Sequence, residues 1–250
     1  MQIGLIGAGN MARGLARGWR QPVICSDVDA ERASALAEEV GGEAVASNAE
    51  VARRAELVVL CHKPPQLRSV AEEVAPHARA VMSILAATPL AAVKEAYPDR
   101  PVYRVLPSTP VEVRQGAVIL AADGAQGPIL DERVRELLAD LGTLVVLDDA
   151  LIDAAMGLMS NAPAYYALVA EAQVDAGVRH GIPPRQAAEL VVQTMAGTAE
   201  LLRRREYDTL AVRREVTSPG GSTARGLDAL ERGGLRAAFS AALDATAGTA

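Results

Sequence analysis

The first 150 residues alternate short apolar runs with segments of helical periodicity, and this alternation stops near Leu151. The apolar runs read as strands because they are rich in Val, Ile and Leu and lack a regular polar face. They are QIGLIG, PVICS, LVVLC, AVMSIL, VYRVL, AVILA and TLVVLD. Such runs are typical of strands that are buried on both faces of a sheet. The pattern predicts an α/β fold, with a parallel sheet covered by helices on both faces.

Beyond Leu151 the remaining sequence reads as helices only. The segments are IDAAMGLM, PAYYALVAEAQVDAGVRHG, PRQAAELVVQTMAGTAELLRR and the stretch that follows SPGGS. This change divides the 250 residues into two predicted domains, 1–150 and 151–250. Stretches such as AGTAELL are apolar on more than one face. A small helical domain with broad apolar faces often buries them against a second subunit.

The charge and the cysteine content exclude several classes of protein. A net charge of −6 without a long basic run disfavours binding to nucleic acid or to an anionic membrane. The sequence has no apolar run of about 18 residues and no signal-peptide pattern. Two cysteines in a chain of this size favour a reduced, cytoplasmic protein, and the three histidines show no spacing for a metal site.

The turn after the first strand carries a motif for phosphate binding. In GLIGAGNMARG, Gly7, Gly9 and Ala12 fit the pattern G-x-G-x-x-G/A between a strand and a helix. The first glycine permits the tight turn, and the second lets the backbone approach a pyrophosphate at the helix N-terminus. The motif predicts a Rossmann-like site for NADPH or NADH, in which Asn10 and Met11 belong to the same turn.

The second strand ends at Ser26 and Asp27, where an acidic residue binds the adenosine ribose in such sites. Asp27 would repel a 2′-phosphate and so favours NAD, whereas Arg32 or Arg13 would bind that phosphate. Asp27 is also a candidate N-cap for the helix that begins in DAERA. The sequence leaves the choice between the two coenzymes open.

Two further loops are predicted at the same edge, because ligands bind beyond the carboxyl ends of parallel strands. Lys63 and Pro64 follow the LVVLC strand, and Lys63 is a candidate contact to the cofactor or to an anionic substrate. A solvated loop lysine is the equally weighted alternative. The strand VYRVL is followed by Pro107, Ser108 and Thr109, a position that suits the nicotinamide end of the cofactor.

A second candidate anion site lies near the end of the sequence, in VTSPGGSTARGLDALERGG. Backbone N–H groups of Gly220, Gly221, Ser222 and Thr223 can point at a carboxylate, and the following helix adds a favourable dipole. Ser222 or Thr223 is alternatively an N-cap only. A capping turn explains the hydroxyl residue but, from sequence alone, not the double glycine.

These blocks together resemble the pyrroline-5-carboxylate reductase family. The most specific match is the C-terminal block VTSPGGSTARGLDALERGGLRAAFSAAL. Six earlier blocks also match and occur in the order that the family has: GLIGAGNMA, KPPQL, RVLPSTP, APAYYAL, EAQVDAGVRHGIP and QTMAGTAELL. The resemblance covers nearly the whole chain. It implies a Rossmann-like doubly wound sheet followed by an all-α dimerisation domain that interlocks with its partner, and dimers that assemble further.

The resemblance also implies the chemistry. NADPH or NADH would reduce a cyclic imine carboxylate, and Thr223 would hydrogen-bond the ring nitrogen. Gly220, Gly221 and Ser222 would hold the substrate with Thr223, and Lys63 would act in catalysis beside the cofactor. A protonated imine is already electrophilic, so the site has to position the ring and exclude water rather than supply a strong acid.

The sequence departs from the family pattern at several positions. A usual Ala-Val-Lys-Pro is Cys61-His62-Lys63-Pro64, and Ser108 replaces an Asn. Other departures are Thr88 and the run Met159, Ser160, Asn161. They keep two rival hypotheses open: a reductase of another cyclic imine carboxylate, and an inactive dinucleotide-binding regulatory paralogue.

Overall fold

The computed structural model describes residues 1–122 and 127–247. The chain divides into two compact units, Met1–Pro163 and Ala164–Thr246. The first unit contains the sheet and the second contains helices only. The predicted order of a sheet-containing domain followed by a helical domain is therefore confirmed.

The first unit is built on one eight-stranded sheet in the order β3-β2-β1-β4-β5-β6-β7-β8. The strand order reverses beside β1, because β1 pairs in parallel with β2 on one side and with β4 on the other. The strands are β1 (Ile3–Ile6), β2 (Val23–Ser26), β3 (Glu43–Ala44), β4 (Leu57–Leu60), β5 (Val81–Ser83), β6 (Val102–Pro107), β7 (Gly116–Ala121) and β8 (Gly142–Leu147).

Helices cover both faces of this sheet, as predicted. They are α1 (Asn10–Trp19), α2 (Ala30–Val40), α3 (Asn48–Arg54), α4 (Leu67–Val74), α5 (Leu90–Ala96), α6 (Pro128–Ala139) and α7 (Ile152–Met159). Successive β4 side chains enter opposite cores, since Leu57 and Val59 join one apolar cluster and Val58 and Leu60 join the other. This burial on both faces explains the unbroken apolar runs in the sequence.

The predicted parallel sheet is confirmed except for one antiparallel pair near its edge. β7 runs antiparallel to β6, and β8 is parallel to β7. Only residues 108–115 join β6 to β7, and they form a 3-10 turn (Thr109–Val113) instead of a crossover helix. A parallel connection needs a dozen or more residues, so this short one forces the reversal. The two-residue strand β3 is also absent from the sequence prediction.

The second unit contains α9 (Pro184–Arg204), α10 (Thr209–Glu215), α11 (Ser222–Arg232) and α12 (Leu235–Ala247), and α8 (Ala162–Arg179) leads into it. The sequence analysis did not predict α10. In the described part of this unit, only Ala187 and Val212 are buried. Large apolar side chains are exposed instead, among them Tyr166, Leu168, Leu190, Val192, Leu230 and Phe239. No helix within the described ranges is long and apolar enough to span a membrane.

Candidate functional site

A cavity of about 360 Å³ lies at the carboxyl ends of β1, β2 and β4, where the strand order reverses. Ligands of open α/β sheets bind at this kind of position. The residues that line it are Ile6, Gly7, Gly9, Asn10, Met11, Ala12, Asp27, Val28, Arg32, Asn48, Cys61, His62, Lys63, Gln66 and Val70. The cavity thus brings together Gly7, Gly9, Asn10, Met11, Asp27 and Lys63 from the predicted cofactor residues.

The glycine turn has the geometry that its motif predicts. Gly7 has φ +101°, and a Cβ there would lie 2.7 Å from the Cys61 carbonyl oxygen. Its N–H donates to the Ser26 carbonyl at 2.8 Å, which ties the turn to β2. Gly9 is the N-cap of α1, and its Cβ position faces open space with no atom within 4 Å. The backbone at Gly9 and the first turn of α1 can therefore approach a phosphate closely.

Asp27 supports the glycine turn from β2. Its carboxylate accepts from the Ala8 N–H at 2.7 Å and from the Asp29 N–H at 2.9 Å, and its side chain is only 7% exposed. The alternative that Asp27 caps the next helix is wrong, because Asp29 is the N-cap of α2 and accepts from the Arg32 N–H. The Arg32 guanidinium is half-exposed and lies 4.0 Å from the Asp27 carboxylate. Of the three candidate determinants of coenzyme choice, Asp27 and Arg32 therefore line the cavity, and Arg13 does not.

Ser26 does not line the cavity, but its side chain is hydrogen-bonded to a residue that does. Its side chain is buried, and its hydroxyl donates to Asn48 Oδ1 at 2.8 Å. Asn48 lines the cavity, and its Nδ2 donates to Glu73 at 3.0 Å. The sequence reasoning missed Asn48, whose only signal is its place in the first turn of the helix after Ser47.

The loop after β4 brings a lysine and a histidine to the cavity. Lys63 is exposed, and its N–H donates to Gln66 Oε1 at 3.1 Å at the start of a 3-10 turn that includes Pro64. His62 Nδ1 lies 2.9 Å from the Lys63 carbonyl oxygen. Its other nitrogen, Nε2, is buried and has no hydrogen-bond partner among the described residues. Burial lowers the pKa of His62, although its bond to the Lys63 carbonyl opposes that shift. The sequence analysis assigned His62 no role.

The predicted loop after β6 does not line this cavity. The Ser108 hydroxyl donates to the Ala117 carbonyl at 3.0 Å and accepts from the Ala117 N–H at 2.9 Å, so it joins β6 to β7. Pro107 is buried and Thr109 is exposed. A role for these three residues at the nicotinamide end stays a prediction. Thr88, another departure from the family pattern, is buried and donates to the Ala86 carbonyl. Among the departures, only Cys61 and His62 line the cavity.

In the second unit, the double glycine is explained by the turn itself. Gly220 has φ +67°, and a Cβ on Gly221 would collide with the Ser218 hydroxyl. The Gly221 N–H donates to the Ser218 carbonyl at 3.0 Å, so this predicted donor is used within the turn. Arg225 donates to the Gly220 carbonyl at 2.7 Å and fixes the loop against α11.

The Ser222 and Thr223 hydroxyls, which follow this turn, have no structural role among the described residues. Gly221 is the N-cap of α11 and no side chain caps the helix, so the alternative that Ser222 or Thr223 is the N-cap is wrong. Neither hydroxyl makes a hydrogen bond in residues 1–122 or 127–247. Both remain available to a ligand, together with the first N–H groups of α11.

Two family models match the chain. The model described as pyrroline-5-carboxylate reductase dimerisation matches residues 149–250. The model described as NADP oxidoreductase coenzyme F420-dependent matches residues 2–87. These matches cover the helical C-terminal region and the strands that form the cavity.

The chain is also similar over its length to curated and solved proteins. It is 36% identical to pyrroline-5-carboxylate reductase of Pseudomonas aeruginosa, over 98% of this chain and 93% of that protein. The solved 1-pyrroline-5-carboxylate reductase of Streptococcus pyogenes is 30% identical, with a TM-score of 0.88 over 99% of this chain and 96% of that one. The pyrroline carboxylate reductase of Plasmodium falciparum, solved with NADP bound, shares the fold at 23% identity and a TM-score of 0.87, over 99% and 95%. The chain therefore belongs to the pyrroline-5-carboxylate reductase family.

Proposed function

We propose that this protein catalyses the NAD(P)H-dependent reduction of 1-pyrroline-5-carboxylate to L-proline, the last step of proline biosynthesis. The observation that carries the proposal is the cavity bordered by Gly7, Gly9 and Asp27, in a chain that aligns end to end with reductases of this name. Its first strands also match a family model for NADP oxidoreductases.

The residues of the first unit fit a dinucleotide. The open space at Gly9 and the uncapped first turn of α1 suit a pyrophosphate, and Asp27 or Arg32 would meet the adenosine end. When bound, the nicotinamide supplies a hydride for the imine carbon. Lys63 lies at the cavity edge, where its ammonium would hold negative charge on the cofactor or the substrate.

The residues of the second unit suit the substrate. The turn at Gly220 and Gly221 presents the start of α11, where the first N–H groups and the Ser222 hydroxyl would bind the carboxylate. The Thr223 hydroxyl would accept a hydrogen bond from the protonated ring nitrogen. This bond would stabilise the iminium form and fix the orientation of the ring. Positioning of this kind lowers the barrier without a dedicated acid.

We further propose that residues 1–150 bind the dinucleotide, and that residues 151–250 bind the substrate and form a homodimer in the cytoplasm. The apolar side chains exposed on α8, α9 and α12 support an interface with a second copy of the chain. The match to a dimerisation model over 149–250 supports the same region. Further assembly of dimers is an extension of this proposal.

A steady-state assay tests the function. Oxidation of NADPH and of NADH would be followed with pyrroline-5-carboxylate and with its six-membered homologue. We expect turnover with the five-membered imine at the higher kcat/KM. Preference for the six-membered ring would favour a reductase of another cyclic imine, and coenzyme binding without turnover of either imine would favour a regulatory paralogue.

A further inference from the structure

His62 lines the candidate cofactor cavity, and one of its ring nitrogens has no hydrogen-bond partner among the described residues. Its Nδ1 lies 2.9 Å from the Lys63 carbonyl oxygen. A carbonyl oxygen only accepts, so Nδ1 carries the hydrogen and Nε2 of the neutral ring is an acceptor. Nε2 is buried, and no donor reaches it from residues 1–122 or 127–247. A buried acceptor without a donor is costly, which points to a donor that a ligand provides.

The charge state of His62 restricts what that donor is. Burial lowers the pKa of the ring, so His62 is neutral at pH 7. The other ionisable groups that line the cavity are Asp27, Arg32, Lys63 and the Cys61 thiol, and the Asp27 carboxylate already accepts two backbone N–H groups. An ionised phosphate has no hydrogen to give to Nε2, whereas a sugar hydroxyl does.

The sheet order indicates which sugar is concerned. Asp27 follows β2, and the helix that receives the pyrophosphate follows β1. His62 follows β4, which lies on the other side of β1 from β2. A dinucleotide bound across this reversal has its adenosine beyond β2 and its second nucleoside beyond β4. The nicotinamide ribose is therefore the part that the loop after β4 meets.

We propose that His62 is a further cofactor-binding residue, whose neutral Nε2 accepts a hydrogen bond from a hydroxyl of the nicotinamide ribose. This inference rests on the proposed dinucleotide function and adds a contact to it. A fixed ribose also fixes the nicotinamide that it carries, so His62 is a positioning residue for the ring.

Calorimetric binding to the full chain tests this contact without turnover. The variants are His62→Val, which removes the acceptor, and His62→Gln, whose Oε1 reaches the position of Nε2. His77→Val is the matched control, since His77 is exposed after α4. The ligands are NADPH, NADH and ADP, which has the adenosine and both phosphates but no nicotinamide ribose.

We expect His62→Val to raise the Kd of the preferred coenzyme about fivefold, as loss of one hydrogen bond does. Its Kd for ADP should stay within twofold of wild type, His62→Gln should restore coenzyme affinity, and His77→Val should change neither. The ¹⁵N resonance of His62 Nε2 should also shift on addition of the coenzyme but not of ADP.

Three results would overturn the inference. They are unchanged coenzyme affinity in folded His62→Val, an equal loss for coenzyme and ADP, and an Nε2 resonance that does not respond to the coenzyme. Folding of the variant is checked by its circular dichroism melting curve. If wild type bound neither NADPH nor NADH, the proposed function itself would fail, and this inference with it.

Discussion

Asp27 and Arg32 place opposite charges at the same end of the cofactor cavity, and hydrogen bonding sets how each acts. The Asp27 carboxylate is nearly buried and accepts from two backbone N–H groups, so much of its charge is compensated. The Arg32 guanidinium is half-exposed and its contacts to Asp27 and Asp29 are long, 4.0 and 3.5 Å. Of the two arginines that are candidates for a 2′-phosphate, Arg32 therefore lines the cavity and has a guanidinium that can turn toward the ligand.

Replacement of Arg32 separates the two coenzymes. We expect Arg32→Ala to weaken NADPH binding about fivefold to tenfold, since a charge-assisted contact is lost at a partly solvated site. The Kd for NADH, which has no 2′-phosphate, should stay within twofold. Both values come from titration of coenzyme fluorescence, with Arg68→Ala, at an exposed position on α4, as the control. Equal weakening of both coenzymes would contradict a role at the phosphate.

Thr223 provides the corresponding test for the substrate. Its hydroxyl makes no hydrogen bond within the described residues, so its removal leaves the α11 turn intact. We expect Thr223→Ala to lower kcat/KM for the imine 100-fold or more while the Kd of the coenzyme is unchanged, because the iminium nitrogen loses its partner. Thr217→Ala is the control on the same loop, since the Thr217 hydroxyl donates to the Arg213 carbonyl within the helix before it. Unchanged turnover in Thr223→Ala would remove this residue from the mechanism.

At the scale of elements, a buried arginine joins β6 to the segments that follow the sheet. Arg104 is 3% exposed and pairs with Asp149 at 2.9 Å and with Asp153 at 2.7 Å. Asp149 also accepts from the Leu90 N–H at 3.1 Å, which includes the start of α5 in the network. One guanidinium thus organises β6, α5, α7 and the turn between β8 and α7.

Loss of this guanidinium should destabilise the first unit. We expect Arg104→Ala to lower the free energy of unfolding by about 3 kcal/mol, because two carboxylates lose their buried partner. Arg114→Ala is the matched control, since Arg114 pairs with Asp140 at the surface, and it should cost less than about 1 kcal/mol. Urea titration followed by fluorescence of Trp19 measures both. Equal losses in the two variants would argue against the network.

The same scale shows what sequence patterns can and cannot predict. Strands, helices and the Gly7–Gly9 turn were predictable because each depends on local periodicity or local backbone geometry. The reversal of β7 was missed, because an apolar run looks the same in either direction; its signal was the short connection before β7, which lacks the dozen residues that a parallel crossover needs. The unpaired His62 Nε2 and the bond from Ala8 to Asp27 had no such signal. They depend on residues that packing brings together across strands.

At the scale of the whole molecule, the exposed apolar surface of the second unit supports an interface. Leu190 and Val192 on α9 are each 61% exposed. We expect the double variant Leu190→Glu, Val192→Glu to disrupt the dimer, because charges in an apolar interface lose their hydration. Sedimentation at micromolar concentration measures the mass, and Ile129→Glu, an exposed apolar position on α6, is the control. A monomeric wild type, or a double variant of unchanged mass, would contradict the proposed interface.

The scarcity of buried side chains in the second unit has a consequence for synthesis. Fixing each residue costs about 1–2 kcal/mol of conformational entropy, and Ala187 and Val212 are too small a core to offset it. In the proposed dimer, folding of this unit and association are therefore one bimolecular reaction. Its melting temperature rises with protein concentration, as mass action requires. If the chain dimerises as proposed, a chain leaving the ribosome completes its helical half only on meeting a second one, and the expression level then sets how much of the protein becomes native.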